Sequence, residues 1–475
     1  MTSAANRLCA AAVLLAALTA SFATPAAAPV DDPSVQRGAY IATASDCAAC
    51  HTVPGGKPFA GGLPIASPVG TIYSTNITPS AAAGIGGYTE AEFARAVRQG
   101  VRKSGENLYP AMPYTSYRLL TDADVHDLYA YFQHGVAPVD VVPTRTVLPF
   151  PLNIRASMMG WNLLFRAEGP FTADASRSAP WNRGAYLVEG PAHCGECHTP
   201  RGLLMQVRSR QALAGGQVGP WFAPNITPDP ASGIGSWSKA DLVQYLHSGS
   251  LPGKARAAGG MGEAVEHSFQ HLASADLDAM ASYLVTVPAV HDGADTVSRF
   301  DVGAPGNALA AVRGAGGVVS DTGSAPGGAK LFAGNCASCH AASGQGSKDA
   351  YYPSLFHNSV TGAAEAGNLI ATILYGVHRT TAAGEAYMPG FGGSRNDIDP
   401  LSDAQIAAIS TYVLRQYGRA QPVSDSDVAV VRQGGPASPL LLLARLGLAI
   451  AVVAMGLVVW ALFALRRRHR NSATA

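Results

Sequence analysis

Apolar residues recur at helical spacing at three places along the chain. They fall at Val125, Leu128, Tyr129 and Phe132, again at Leu277, Met280, Ala281 and Leu284, and again at Ile406, Ile409 and Val413. Steps of three and four put each set on one face, which predicts three helices with one buried side each. Another amphipathic helix precedes each of the first two. One starts at Thr89, with Glu92 in a capping-box pattern, Phe93 and Val97 on one face and Gly100 as its stop. The other starts at Ser238, with Asp241, and runs through Leu242, Tyr245 and Leu246 to Gly249. No strand-rich segment of comparable strength interrupts the pattern, so the chain is predicted to be mainly α. Residues 134–180, rich in Pro and Val, and 286–327, rich in Gly and Ala, read as connecting segments.

The two ends carry apolar runs instead. "LGLAIAVVAMGLVVWALFAL", 446–465, is 20 residues long, and "RRRHR" follows at 466–470. About 20 apolar residues cross a bilayer core, and a basic cluster stays on the cytoplasmic side. The expectation is a transmembrane helix over 440–465 and a cytoplasmic tail over 466–475. Near the N-terminus, Arg7 precedes a shorter run, "LCAAAVLLAALTASFA" at 8–23, then small residues and Pro25. That is the layout of a secretory signal over 1–28, cleaved between Ala23 and Ala28. A retained anchor helix competes with it, but the run is short for a span, and Cys9 would leave with the signal. Both ends then agree on a body at the periplasmic face of the inner membrane, anchored by its C-terminus.

Between the ends, one unit repeats. "RGAYIATASDCAACHT" (37–52), "RGAYLVEGPAHCGECHT" (183–199) and "GAKLFAGNCASCHA" (328–341) each read as a short lead helix ending on one motif. The first two copies match again at "STNITPSAAAGIGGYTEAEFARAVRQG" (74–100) and "APNITPDPASGIGSWSKADLVQYLHSG" (223–249). The expected division is three domains, 35–135, 181–287 and 328–420, joined by linkers at 136–180 and 288–327. A chain of 475 residues has room for three such domains. Its net charge of +1 offers nothing to nucleic acid. Charged residues are only 14 %, which fits a surface spent on partners or lipid.

The motif is C-x-x-C-H, the attachment signature of c-type haem. On a helical turn, residues i, i+3 and i+4 share a face. Cys47 and Cys50, Cys194 and Cys197, and Cys336 and Cys339 can each bond the two vinyl groups of one porphyrin. His51, His198 and His340 then reach the iron as proximal ligands. The chain's own cysteine and histidine frequencies give about 0.003 chance matches, against three observed. A redox C-x-x-C pair does not require the histidine, and a closed zinc site wants four ligands where each copy offers three in line.

A methionine opposite the histidine fills the iron and raises its potential. Met112 in "YPAMPY" and Met388 in "YMPGF" suit the first and third copies, each ahead of a proline that favours an extended loop. For the second copy, Met261 lies 63 residues after His198, as Met112 lies 61 after His51. Met205 is too close to His198 in sequence, and Met280 falls on the buried face of a closing helix. His126, His134, His247, His267, His271, His357 and His378 are alternative ligands, read as surface or hydrogen-bonded residues. Tyr40, Tyr186 and Phe332 lie on the lead helices and are expected against the closing helices. Asn76 and Asn225 start "NIT" glycosylation matches, but their parallel placement points to a structural turn at the haem edge. "GAGG" at 314–317 reads as linker, not a cofactor loop.

With these motifs, "SPVGTIYSTNITP" (67–79), "GPAHCGECHTPRG" (190–202) and "MPGF" (388–391), the chain resembles the trihaem cytochrome c subunit of bacterial membrane-bound periplasmic dehydrogenases of alcohol, aldehyde, gluconate, sorbitol and related sugars. The resemblance covers about residues 35–420 and implies three tandem class I-like cytochrome c domains carrying three covalently bound haem c. It implies a catalytic partner subunit of quinoprotein, flavoprotein or molybdenum type, in some complexes a small third subunit, and delivery of electrons to ubiquinone in the lipid. No substrate-oxidising site is expected in this chain, and no nucleic-acid partner. The clear C-terminal span departs from family members that dock through amphipathic segments. Two other readings compete. A peroxidase-like multihaem enzyme needs an open iron with an acid–base group beside it, and the second copy is the place for it, because Met261 is the least secure of the three methionine ligands. A cytochrome feeding a terminal oxidase would keep the haems and change the partner. The third copy, nearest the span in sequence, is expected nearest the membrane.

Overall fold

The computed structural model of the chain describes residues 32–165, 169–306, 327–394, 397 and 399–472. The signal reading over 1–28, Cys9 and residues 307–326, half of the 288–327 linker, lie outside them.

Each unit is organised by a lead helix crossing a closing helix. The lead helices are Pro33–Ala44, Ala179–Glu189 and Gly328–Asn335. The closing helices are Asp122–Ala130, Ser274–Leu284 and Asp403–Tyr417. A glycine sets each crossing. A Cβ on Gly38 would lie 1.9 Å from the Asp127 carbonyl oxygen, on Gly184 1.9 Å from that of Ala279, and on Gly328 2.2 Å from that of Ala408. Only a residue without a side chain lets the backbones meet so closely. The predicted middle helices run Glu90–Gln99 and Lys239–Ser248, with both capping boxes formed and left-handed glycine stops at Gly100 and Gly249, φ 66° in each. The third unit has a middle helix too, Gly367–Tyr375, built on buried Leu369, Ile370, Ile373 and Leu374.

The chain is mostly helical. Among the described residues the strands form four two-stranded antiparallel ribbons. The longest pairs Val377–Thr381 with Gly384–Met388, with Val377 opposite Met388. Sequence periodicity did not reveal it because each strand is only five residues long.

The stretch read as a linker, 136–180, is tied along the first unit. Asn76 Nδ2 donates to the carbonyls of Val139 and Val141, and Tyr73 N to Thr146 Oγ1. Tyr109 donates to the Leu152 carbonyl and Tyr114 to Asn162 Oδ1 on a helix, Ser157–Phe165. Pro- and Val-rich backbone has no ladder of its own, so side chains of the unit satisfy it.

Tyr40 and Tyr186 reach across between units. Tyr40 donates to Asp276 Oδ2 at 2.6 Å and accepts from Ala273 N at 3.1 Å, on the second unit's closing helix. Tyr186 donates to Asp124 on the first unit's closing helix. The contact is therefore reciprocal, and burial together with Asp276 pushes the Tyr40 phenol up to about 12. Phe332 does pack on its own closing helix, with Tyr412 and Tyr417 rings each 5.4 Å away. Lys330 stands where the other two units carry their tyrosine. One apolar core runs through the first and second units, and the third has its own around Phe332, Ile370, Ile406 and Leu414.

The third unit docks on the second. The Asn368 side-chain amide exchanges two 2.8 Å hydrogen bonds with the Phe222 backbone, and Ser359 N donates to the Lys254 carbonyl at 2.8 Å. Beyond it, helix Asp425–Arg432 folds back on the closing helix, and Arg432 pairs with Asp403 at 2.7 Å. The C-terminal helix, Leu440–Ser472, then leaves the body. Its Arg445 donates to the Phe150 carbonyl at 3.3 Å, so the segment after the first unit also meets its first turns.

In a helix interior, Gly→Ala normally stabilises by roughly 0.5–1 kcal/mol. Gly184→Ala should do the reverse here, because overpacking of this kind costs about 1–3 kcal/mol. The expected outcome is a lower melting midpoint of the helical circular dichroism signal for the detergent-solubilised chain. An equal or higher midpoint would mean that the crossing can open.

Candidate haem sites

Each motif forms a single helical turn: Cys47–His51, Cys194–His198 and Ala337–His340. A left-handed residue ends the lead before the first two, Asp46 at φ 51° and His193 at φ 38°. None of the six motif cysteines is paired in a disulfide. Burial, first of all, pushes Cys47, Cys194 and Cys336 up to about 12. A disulfide-exchange pair works with a depressed thiol, so these cysteines suit a covalent bond to an apolar group better than thiolate chemistry. Among the described residues no three His, Cys, Asp or Glu side chains gather closely enough to hold a metal by themselves.

The histidine rings are held alike. Nδ1 of His51 lies 2.6 Å from the Thr75 carbonyl, that of His198 2.7 Å from Pro224, and that of His340 2.9 Å from Pro353. A carbonyl can only accept, so Nδ1 carries the proton and Nε2 presents its lone pair. Burial lowers all three imidazoles against the opposing pull of that bond, which keeps them neutral, as a metal ligand must be.

The "NIT" turns explain where the first two of those carbonyls come from. Asn76 follows Thr75, and Asn225 follows Pro224. Asn76 Oδ1 accepts from Thr78 N and Oγ1 at 2.9 and 2.7 Å, and Asn225 does the same with Thr227 at 2.8 and 2.7 Å. Asn225 Nδ2 donates to the Val290 carbonyl as Asn76 does to Val139. Both asparagines are buried, so neither offers a glycosylation site.

All three motifs open on one cavity of about 1280 Å³. A pocket for one small molecule is roughly 300–1,000 Å³. Its walls include His51, His198 and His340 together with Met112, Met261 and Met388. Met112 sits in a loop, Met261 in the first turn of helix Gly259–His267, and Met388 ends its strand. Met205 does not reach the cavity and stands at φ 64°. Met280 is fully buried on the closing helix and backs the wall. None of the seven alternative histidines lines it. His126 lies 3.2 Å from Glu90 and His378 3.1 Å from Glu385, both at the surface.

Two residues that sequence reading passed over also belong here. His193, just ahead of Cys194, lines the cavity and packs edge-on against Tyr117 at 5.6 Å. Glu196, inside the second motif, accepts from Thr115 and Ser116 at 2.7 and 2.9 Å and pairs with Arg201 at 2.7 Å. It fastens the second motif to the helical turn Tyr114–Tyr117 that follows Met112. Its only sequence signal was a carboxylate inside an otherwise small-residue motif.

The donor set thus fits haem c: two thiols and a neutral imidazole per turn, and thioethers across a shared apolar space. Comparison with known proteins agrees. The cytochrome c family model matches residues 35–135 and 326–416. The fructose dehydrogenase cytochrome subunit of Gluconobacter japonicus is 48 % identical over 438 residues, 91 % of this chain and 90 % of that one. The cytochrome c subunit of the quinone alcohol dehydrogenase of Gluconobacter oxydans is 39 % identical, over 89 % of this chain and 87 % of that one. The gluconate 2-dehydrogenase cytochrome c subunit of Pantoea cypripedii is 39 % identical, over 87 % and 93 %.

Replacing Cys194 and Cys197 together by Ala should leave two haems per chain, counted by the absorbance of the alkaline pyridine adduct. Three haems in that variant would remove the second motif as an attachment site.

Proposed function

The chain belongs to the cytochrome c subunits of membrane-bound dehydrogenases, which carry covalent haem c and transfer electrons beside a catalytic subunit, and from that premise we propose a three-haem relay to the membrane. The haems attach at Cys47 and Cys50, Cys194 and Cys197, and Cys336 and Cys339, with His51, His198 and His340 as proximal and Met112, Met261 and Met388 as distal ligands. One observation carries this reading: three imidazoles, each fixed through Nδ1 on a backbone carbonyl, face one cavity that three methionines also bound. The iron, when bound, takes up and releases one electron. The chain's residues fix the rings, exclude water and keep the centres within one continuous wall. The second unit touches both others, which supports it as the middle of the relay.

Electrons come from the catalytic subunit at the periplasmic face and pass to ubiquinone in the lipid. Leu440–Arg466 supports an anchor, being 27 residues long, with a most apolar 18-residue stretch of mean hydropathy 2.7 that is not buried against the body. Helix Ser157–Phe165 adds a second apolar face, with Leu163 86 %, Leu164 70 % and Met159 65 % exposed. Arg445 ties the first turns of the anchor to Phe150, seven residues before that helix.

The test is purification from membranes with partners kept, mass spectrometry of the complex, and a reduced-minus-oxidised spectrum on adding substrate. D-fructose comes first, because a 48 % identical relative is named for it. A co-purifying dehydrogenase whose substrate reduces all the haem is expected. A chain that arrives alone, with high-spin haem reacting with peroxide, would replace the relay by an enzyme. Met388→His should keep its haem attached, lower that centre's potential and slow quinone reduction. An unchanged redox titration would remove Met388 as a ligand.

A further inference from the structure

Two of the three methionines on the cavity wall belong to regular elements, and the third does not. Met261 stands in helix Gly259–His267, and Met388 ends a strand paired residue for residue with Val377–Thr381. Met112 lies in a loop between Pro110 and Pro113, neither of which has an N–H to donate. Its own backbone makes local bonds alone: its N–H donates to the Tyr109 carbonyl at 3.1 Å, and its carbonyl accepts from Tyr114 N at 2.8 Å. The helical turn that follows, Tyr114–Tyr117, is four residues long and starts without a side-chain cap. A single turn fixes several backbone dihedrals for very few bonds, so it does not hold itself in place.

Its four side chains are held from outside instead. Tyr114 donates to Asn162 Oδ1 at 2.8 Å, and Tyr117 to the Ser45 carbonyl at 2.6 Å, just ahead of the first motif. Thr115 Oγ1 and Ser116 Oγ, between them, both donate to Glu196 Oε1 of the second unit, at 2.7 and 2.9 Å. Hydrogen bonds to an ionised acceptor are roughly twice as strong as neutral ones. Glu196 is itself immobilised, because Arg201 Nη2 donates to its Oε2 at 2.7 Å and to its backbone carbonyl at 2.6 Å. Ala49 and Ser338 stand at that position in the other two motifs. Attaching a haem therefore does not call for a carboxylate there, and the one in the second motif serves the turn behind Met112.

We propose that Glu196 is the positioning residue for Met112, holding its turn so that the thioether stays on the iron of the haem attached at Cys47 and Cys50. The inference rests on the three-haem reading above. Cys197 and His198 follow Glu196 directly, so one five-residue turn carries the second haem and steadies the distal ligand of the first. Thioether sulfur is a weak ligand for ferric iron and keeps its place only while the fold presents it. Once loosened, Met112 yields to a stronger nitrogen base, and the first centre loses the high potential that methionine confers.

The test uses the full chain purified in its complex, with haem counted and imidazole titrated against the ferric protein. Glu196→Ala should keep three haems, since Ala49 serves in the first motif, and open one of them. Imidazole affinity at that haem should rise about tenfold or more, with loss of its share of the far-red band in which methionine sulfur gives charge to ferric iron. Glu196→Gln, whose amide oxygen still accepts from both hydroxyls, should titrate like the unsubstituted chain. Thr115→Val with Ser116→Ala leaves the second motif intact and should reproduce the Glu196→Ala result. In a Met112→Ala background, where the first haem is already open, Glu196→Ala should change nothing further. Three haems and an unchanged titration in Glu196→Ala would overturn the proposal. So would a shift that survives Met112→Ala, since Glu196 would then act on its own haem. If Glu196→Ala loses the second haem or does not accumulate, an unshifted titration of the Thr115→Val, Ser116→Ala variant overturns it. A Met112→Ala chain that binds imidazole no better than the unsubstituted one would instead sink the ligand assignment on which the proposal rests.

Discussion

A backbone carbonyl behind each histidine ring is the contact on which the rest of the molecule turns. Thr75, Pro224 and Pro353 supply it. Such a bond nets only about 1 kcal/mol, so its importance lies in orientation. It decides which nitrogen keeps the proton and which faces the cavity. In the first two units, holding that carbonyl still takes a turn, the turn takes a buried asparagine, and the asparagine's amide takes a carbonyl from the chain beyond the closing helix, Val139 or Val290. Stretches that looked like connectors are therefore structural members of the sites they leave.

The same economy joins the units. Glu196 stands within the second motif but holds the helical turn Tyr114–Tyr117 of the first unit, and Asn368 of the third unit completes the edge of a ribbon in the second. The apolar space between motifs belongs to no single domain. Closely set redox centres need this: each wall must be shared, because a solvent-filled gap between separate domains would lengthen the path and let the domains drift.

The motifs, lead helices, closing helices and capped middle helices were legible because each repeats a local rule, a fixed spacing or a cap three residues before its partner. Met112, Met261 and Met388 could be singled out by position and were found on one cavity wall. What escaped was non-local. Nothing near Tyr40 announces Asp276, which is 236 residues away, and nothing near Arg379 announces Ala257. The Val377–Met388 ribbon was too short for periodicity to register, and the binding of 136–180 depends on acceptors that any backbone offers. The tyrosines were expected inside their own units, and only the packing of two units could send them across.

That crossing has a consequence for how the halves can change. Tyr40 to Asp276 and Tyr186 to Asp124 are equivalent contacts, the arrangement of a two-fold symmetric homodimer, where each substitution would strike both copies at once. Carried on one polypeptide, the two halves are free to become unequal, and they have. Arg37 keeps a private partner in Asp127, whereas Arg183, facing Ala279 at that position, shares Asp276 with the incoming Tyr40. The symmetry survives in the backbone while the charges have become directional, which a dimer of identical chains could never achieve.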